Sequence, residues 1–186
     1  MTTNNSVNSP LSGTTGTGNF VGANTPTLIT PVLGAATATS VNFGGSTLST
    51  YASSQTFTPT ATFATPGNLS TTYTNQVGYY SIVGNVCTVT IFLRWTPTFT
   101  TASGNLEIGG LPFTVSNTIG QPQIGSIFFN NPTYPTGCTQ LNTYAPSNTT
   151  IFSIIGSGAA TSGYMTTVQC PTTVNQYIYT TFTYLV

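Results

Sequence analysis

Alternating apolar and polar residues, in short runs separated by glycine and proline, make up most of the chain beyond about residue 55. This alternation is typical of β-strands with one buried face, and no segment shows the 3.6-residue apolar period of a helix. Many short strands with Gly and Pro turns between them indicate an all-β fold, and we expect an antiparallel β-sandwich or jelly roll. The pattern predicts strands at residues 57–63, 77–83, 86–98, 105–108, 124–129, 151–155, 164–168 and 176–186.

Two turns in this series predict hairpins. The Gly84-Asn85 step lies between two apolar runs and is a strong signal for a β-hairpin with a two-residue loop. A second hairpin is expected to turn through residues 100–104. If that turn is centred between Thr100 and Thr101, Arg94 and Glu107 become direct cross-strand neighbours, and we predict that they form a structural ion pair. The alternative for Arg94 is contact with a ligand carboxylate, such as that of a sialic acid.

The last run, residues 176–186, carries apolar or aromatic side chains on both of its faces. A strand with two such faces is predicted to lie at the centre of a sheet or in an interface. Cys87 and Trp95 fall within the run of residues 86–98, and both are predicted to be core residues.

The first 54 residues differ from the rest of the chain in composition and in the spacing of their apolar residues. Residues 1–19 are rich in Thr, Asn, Ser and Gly, and they are predicted to form a tail that is flexible or ordered by assembly. Residues 20–54 place apolar side chains between prolines and glycines, and they are predicted to form an extended stem that packs on other copies of the chain. Residues 55–186 are then the β-sandwich head domain. The candidate oligomerisation residues are Phe20, Leu28, Ile29, Val32, Leu33, Val41 and Phe43.

The chain is almost free of charge, because its 186 residues include one basic side chain, Arg94, one acidic side chain, Glu107, and no His. General acid–base catalysis and metal binding need groups that titrate or coordinate, so we expect no enzymatic activity, no metal and no cofactor. Without a basic patch, we expect no binding to nucleic acid and no attraction to anionic membranes. Zero net charge also removes the repulsion that keeps soluble proteins apart, so self-association is expected.

The three cysteines, Cys87, Cys138 and Cys170, form no C-x-x-C pair, and no zinc site is expected. Cys138 and Cys170 lie in loops bounded by Pro and Gly, and the sequence leaves open whether they are bridged. No apolar run reaches about twenty residues, and the N-terminus lacks the positive and apolar regions of a signal peptide. We therefore expect neither membrane insertion nor a recognisable signal peptide.

Two stretches within residues 19–113, about half of the chain, resemble a known family. The segment NFVGANTPTLITPVLGAATATSVNFGGSTLSTY is similar to the stem repeats of bacteriophage and prophage tail fibres. The segment FTPTATFATPGNLSTTYTNQVGYYSIVGNVCTVTIFLRWTPTFTTASGNLEIGGLPF resembles the domain that follows the stem in many such fibres, and similar modules occur in giant-virus fibres. The resemblance implies a homotrimeric virion fibre with three intertwined stems and a β-rich head that faces the host. Its expected location is the surface of the virion or the extracellular space.

Residues 114–172 match this family least well, and their loops carry aromatic and amide side chains. Carbohydrate recognition uses aromatic faces flanked by amide and hydroxyl groups, so we expect a site for a host surface carbohydrate here. The alternative is that Phe128 and Phe129 belong to the core and that Tyr134 and Tyr144 pack on proline-rich loops. The candidate glycan-binding residues are Phe129, Asn131, Tyr134, Gln140, Asn142 and Tyr144.

The leading interpretation is a virion fibre or receptor-binding structural protein that attaches, as a homotrimer, to glycans on a host surface. The alternative is a self-assembling extracellular filament subunit that polymerises through its uncharged N-terminal segment. The two interpretations differ in the contact between copies. A three-fold contact closes into a trimer, whereas a head-to-tail contact that does not close grows into a filament. A glycan-hydrolysing enzyme is disfavoured, because such enzymes normally use two carboxylates and Glu107 is the only acidic side chain.

Overall fold

The computed structural model describes residues 41–43, 46–48, 50–118, 122–130 and 133–186, which fall within one compact unit, Ala38–Val186. The predicted tail and most of the predicted stem lie outside the described residues. Two candidate oligomerisation residues, Val41 and Phe43, lie in a short strand whose backbone is described. The others lie outside the described residues: Phe20, Leu28, Ile29, Val32 and Leu33.

Twelve strands and no helix occur among the described residues, and every strand pairing is antiparallel. The predicted all-β, antiparallel fold is therefore confirmed. Within the described ranges there is accordingly no helical segment with the length and apolar character to cross a membrane. The strands are β1 (Val41–Phe43), β2 (Ser46–Leu48), β3 (Tyr51–Phe57), β4 (Thr60–Thr65), β5 (Ser70–Val83), β6 (Val86–Thr98), β7 (Ser103–Gly109), β8 (Gln123–Phe129), β9 (Gln140–Ala145), β10 (Ile151–Gly158), β11 (Thr161–Tyr164) and β12 (Gln176–Leu185).

Ten of the strands form a single sheet in the order β3-β5-β6-β12-β8-β9-β10-β7-β4, with β11 attached to β10, while β1 and β2 pair with each other. The sheet curls on itself, because side chains of strands that are far apart in this order meet inside it. The ring centres of Phe152 on β10 and Phe182 on β12 lie 5.2 Å apart, although β8 and β9 separate the two strands. The two halves of the sheet thus enclose one core, as the layers of a sandwich do.

The curled sheet closes where its two ends meet. The end strands β3 and β4 follow each other in sequence, across Thr58 and Pro59. β3 pairs with the second half of β5, and β4 pairs with β7 at the other end of the sheet. The first half of β5 is therefore left beside β4 without a ladder of backbone hydrogen bonds between them.

Side chains of β5 bridge this seam between β4 and β5. The Ala61 N–H on β4 donates to Tyr73 Oη at 2.9 Å, and the Tyr73 hydroxyl donates back to the Ala61 carbonyl at 3.4 Å. Gln76 Nε2 donates to the carbonyl of Pro59 at 3.0 Å. These bonds satisfy backbone groups that an unpaired strand edge would otherwise leave without partners.

The predicted hairpin at residues 100–104 is absent, and these residues contact the turn between β4 and β5 instead. Asn68, in the turn between β4 and β5, accepts hydrogen bonds at Oδ1 from the backbone N–H groups of Thr100 (2.9 Å) and Thr101 (3.0 Å). Asn68 Nδ2 also donates to Thr100 Oγ1 at 2.9 Å. The loop after β6 is thereby held against the β4–β5 turn, and β6 pairs with β5 and β12 instead of β7.

The predicted ion pair between Arg94 and Glu107 is consequently wrong. Arg94 lies on β6 opposite Tyr177 of β12, whereas Glu107 lies on β7 opposite Ser153 of β10. The strands β12, β8, β9 and β10 lie between β6 and β7 in the sheet order. The prediction takes consecutive strands as neighbours, but the curled sheet places these two in opposite halves.

The core is lined by alternate residues of the central strands. On β6 these are the odd-numbered positions, and both Cys87 and Trp95 are at most 1% exposed, which confirms their prediction as core residues. β12 lies between β6 and β8, at the centre of the sheet, as predicted. Only one of its faces is buried, however, because Ile178 is fully buried whereas its neighbour Tyr179 is exposed.

Most predicted strands are found, and the Gly84-Asn85 hairpin is confirmed by the pairing of β5 with β6 across it.

The predicted strand at residues 57–63 is instead two strands. Pro59 interrupts it, because proline has no N–H to donate to a ladder. Residues 140–145, expected in a loop, form β9, whereas β11 ends at Tyr164 and does not include residues 165–168. β3 begins before the predicted start of the head at residue 55.

All three cysteines are free and buried, so Cys138 and Cys170 are not bridged. Burial raises the pKa of the Cys170 thiol to about 12. Burial also raises the pKa of the Cys87 thiol, and a hydrogen bond with Tyr184 partly offsets this effect. Burial and the contact with Cys87 raise the pKa of Tyr184 in turn. Cys87 and Cys170 are therefore protonated thiols at neutral pH, which is the unreactive form.

Tyr73→Phe should lower the free energy of unfolding by about 1–2 kcal/mol, because it leaves the Ala61 N–H at the seam without its acceptor. Ala61 is buried, so water cannot easily replace the lost partner. Tyr79→Phe is the matched control, since Tyr79 is an exposed tyrosine of the same strand. Urea unfolding of both variants measures the effect. Equal losses in the two variants, or no loss in Tyr73→Phe, would contradict the bridging role of Tyr73.

The free energy of unfolding should be nearly constant between about pH 6 and pH 8 and should fall above about pH 9. The folded-state pKa of the Cys170 thiol, about 12, lies above its unfolded value of 9.0, so this contribution to stability is complete below pH 9 and is lost as the pH rises toward 12. Cys170→Ala should reduce the slope between about pH 9 and pH 10 by up to about 1.4 kcal/mol per pH unit. Urea unfolding over a pH series checks this prediction, and an unchanged slope in the variant would refute it.

Candidate functional site

The predicted glycan-binding residues do not form a single cluster. Phe129 is a core residue, 5% exposed, and its ring stacks on Trp95 with the centres 6.0 Å apart. Its prediction as a sugar contact is therefore wrong, because its face is covered inside the sheet. Asn131 lies outside the described residues, and Tyr134 is exposed in the segment between β8 and β9.

Three of the predicted residues, Gln140, Asn142 and Tyr144, do come together at alternate positions along β9. The side-chain amides of Gln140 and Asn142 both donate to Ser157 Oγ on β10, at 2.8 Å and 3.4 Å. The Tyr144 ring meets the Tyr164 ring edge-on with the centres 5.6 Å apart. Burial and a side-chain hydrogen bond with Tyr144 raise the pKa of Tyr164. Gln140, Asn142 and Tyr144 form a polar row, here called the β9 row, whose side chains contact Ser157 and Tyr164.

The sequence did not predict an exposed aromatic cluster on the outer face of β6, β12 and β8. Phe92 and Tyr179 stack with their ring centres 4.2 Å apart and their planes within 6° of parallel. Phe128 lies 6.1 Å from Tyr177 and 6.2 Å from Tyr179, measured between ring centres. We call Phe92, Phe128, Tyr177 and Tyr179 the aromatic platform. Phe128 is 56% exposed and Tyr179 is 46% exposed, so the platform presents ring surface to solvent.

Strand register explains why these rings meet. Tyr179 lies directly opposite Phe92 on one side and Phe128 on the other, so the three rings form one row across β6, β12 and β8. Cross-strand aromatic pairs of this kind stabilise a sheet by packing above its surface. The alternation of residues along β6 and β12 could have placed Phe92 and Tyr179 on outer faces. Their proximity depends on β12 lying beside β6, which no local sequence pattern signals.

A shallow groove of about 400 Å³ runs beside the platform. It is lined by Ser126, Ile127, Phe128, Tyr179, Thr180 and Thr181. The Thr181 hydroxyl bonds to that of Thr90 at 3.0 Å, and the next pair along, Thr88 and Thr183, repeats the contact at 2.9 Å. Ser126 lies opposite Asn142, so the β9 row borders the groove on its far side. The face thus combines aromatic rings with neutral hydroxyl and amide groups.

Arg94 lies at one end of the platform. Its guanidinium carbon is 5.8 Å from the centre of the Tyr177 ring, and its Nε donates to Asn175 Oδ1 at 2.8 Å. Asn175 is held in turn, because its Nδ2 donates to Thr96 Oγ1 at 3.2 Å and to the Trp95 carbonyl at 3.4 Å. The guanidinium is therefore oriented by contacts on two sides while remaining exposed.

In chemical terms, this face can stack on flat apolar surfaces, hydrogen-bond neutral polar groups and attract an anion at Arg94. Across the described residues, no group of three or more His, Cys, Asp or Glu side chains is placed to hold a metal ion. The interactions that this face offers to a ligand are ring stacking, hydrogen bonds and the charge of Arg94.

Compared with known proteins, the chain matches no protein-family model, no curated protein and no solved structure. Its resemblance to tail fibres over residues 19–113 therefore stays a prediction from the sequence. A function can be assigned to this face only from its geometry and its chemistry.

Proposed function

We propose that this chain is an attachment protein of a virion fibre, whose β-sheet head binds carbohydrate on a host surface through the aromatic platform. In this proposal the N-terminal part joins three copies, and the protein acts by binding without an enzymatic step. The observation that carries the proposal is the platform itself, in which four aromatic rings contact one another on the solvent face of a nearly uncharged sheet.

The chemistry of the face supports a sugar as the ligand. The C–H face of a sugar ring stacks on aromatic side chains, while its hydroxyls bond to hydroxyl and amide groups placed around them. Here the rings of Phe128 and Tyr179 stand beside Ser126 and Thr181 in the groove. A contiguous exposed apolar patch is a usual mark of an interaction surface or a ligand-binding groove.

A self-assembling filament subunit is the second candidate, and the free edge of β3 favours it. Among the described residues, β3 pairs on one side only, with β5, and it carries no charged residue that would deter another strand. A bulge between Ala52 and Gln55, with Ser54 at a φ of 52°, interrupts this edge. Because bulges make an edge a poorer template for a further strand, we favour attachment over polymerisation.

Phe128→Ala and Tyr179→Ala should each weaken carbohydrate binding about tenfold, because an aromatic contact is worth up to about 1.5 kcal/mol beyond the area that it buries. A glycan array of the full chain identifies the best saccharide, and calorimetric titration of that saccharide measures each affinity. Tyr51→Ala is the matched control, since Tyr51 is a 67% exposed aromatic residue on β3, away from the platform. Thermal unfolding of each variant verifies that the fold is retained.

Two results would count against attachment. One is the absence of binding to any saccharide by the full chain, and the other is equal affinity in the parent chain and both platform variants. Light scattering and negative-stain electron microscopy of the same sample separate the two candidate functions. Discrete particles of three chains support the fibre, whereas long regular filaments support the filament subunit.

A further inference from the structure

We infer that the saccharide bound at the platform is acidic, and that the guanidinium of Arg94 binds its carboxylate or sulfate group. This inference rests on the proposed carbohydrate-binding function and adds the chemical class of the ligand. It follows from three features of Arg94: its isolation from the chain's acidic side chain, its fixed orientation, and its place at the end of the platform.

The positive charge of Arg94 has no acidic partner within the described part of the chain. The only acidic side chain, Glu107, lies on β7, which pairs with β10 and β4 and not with the β6 strand that carries Arg94. Directly opposite Arg94 are the neutral side chains of Asn75 and Tyr177. An exposed cation beside an aromatic surface, in a chain that otherwise carries almost no charge, is complementary to a ligand that is both anionic and able to stack.

The orientation of the guanidinium leaves its terminal nitrogens available. Asn175 accepts from Nε, and Tyr177 covers one face of the group. Among the described residues, the hydrogen bond of the Arg94 guanidinium is made by Nε, and its two Nη groups have no protein acceptor. These groups carry the pair of parallel N–H donors that bind a carboxylate or sulfate in a bidentate manner. Because Asn175 is itself held by Thr96 and the Trp95 carbonyl, little conformational freedom remains to be lost on binding.

The spacing along β6 suits a ligand that spans both features. Arg94 is two residues from Phe92 on the same face of the strand, a separation of about 7 Å at the usual rise of a β-strand. Tyr177 and Tyr179 repeat this spacing on β12. A sugar ring stacked on Tyr179 or Phe128 can therefore extend a charged substituent to Arg94 without losing its aromatic contact.

Matched pairs of saccharides test the inference. The probes are a sialylated, a glucuronate-containing and a sulfated oligosaccharide, each titrated together with its neutral counterpart lacking the acidic group. Arg94→Gln should weaken binding of the preferred acidic probe about tenfold to a hundredfold, because it removes a charge-assisted bidentate contact. The same variant should leave binding of the neutral counterpart within about twofold of the parent.

Two further variants sharpen the result. Arg94→Lys keeps the charge but loses the paired donors, so its affinity for the acidic probe should fall between those of the parent and Arg94→Gln. Glu107→Gln removes the other charge, which lies on β7 and outside the platform, and it should change the affinity less than about twofold. If Arg94→Gln fails to fold in thermal unfolding, Arg94→Lys and a salt titration of the parent take its place. Affinity for the acidic probe should then fall severalfold from about 50 mM to about 500 mM NaCl.

The outcomes separate this inference from the function on which it rests. Preference for an acidic probe together with loss in Arg94→Gln supports both. Binding of neutral saccharides that depends on Phe128 and Tyr179 but not on Arg94 overturns the inference and leaves carbohydrate attachment standing. Failure of the full chain to bind any probe, acidic or neutral, overturns both. The three acidic probes, compared with one another, identify whether a carboxylate or a sulfate is the group recognised.

Discussion

The closure of the sheet depends on satisfying the backbone of β4 along an edge where no strand pairs with it. Tyr73 and Gln76 of β5 provide these hydrogen bonds from side chains, at Ala61 and at Pro59. A buried N–H without an acceptor costs about 1–3 kcal/mol, which is a large share of the usual 5–15 kcal/mol stability of a domain. Because Pro59 redirects the chain, one continuous segment supplies both end strands, and the curled sheet is held together at a single seam.

Closure divides the residues of each strand between the core and an outer face. The inner positions of β6 and β12 fill the core with Trp95, Ile178 and their neighbours, and these positions tolerate little variation in volume. The outer positions are free of this packing demand, so the rings of Phe92 and Tyr179 are not required to fill the interior. They meet because β12, which comes from the far end of the chain, inserts between β6 and β8. The aromatic platform is thus a product of long-range strand order.

The local parts of this structure could be predicted from the sequence, and the long-range parts could not. The alternation of apolar and polar residues predicts β6 and β12, and the Gly84-Asn85 step predicts the hairpin that joins β5 to β6. Each of these signals lies within a few residues of the chain. The pairing of Arg94 with Glu107 failed because it required β6 and β7 to be neighbours, which depends on the whole sheet order. The sequence predicts Phe129 as a sugar contact and does not decide whether Phe128 is buried or exposed. Neighbouring residues of a strand face opposite sides, so an error of one position exchanges the buried and the exposed residue. The alternation along residues 123–129 shows that Phe128 and Phe129 face opposite sides of the strand. Which of the two sides faces the core depends on where β8 lies in the sheet.

Arg94 also bears on how copies of the chain can associate. An interface between copies that is formed by the platform would remove the guanidinium of Arg94 from water on each copy. Burying a charge without a partner costs several kcal/mol, and the chain has no acidic side chain near this face to compensate. An anionic ligand removes this cost, because it supplies the missing charge. Under the proposed recognition of an acidic saccharide, Arg94 therefore favours binding of the ligand over self-association through the same face.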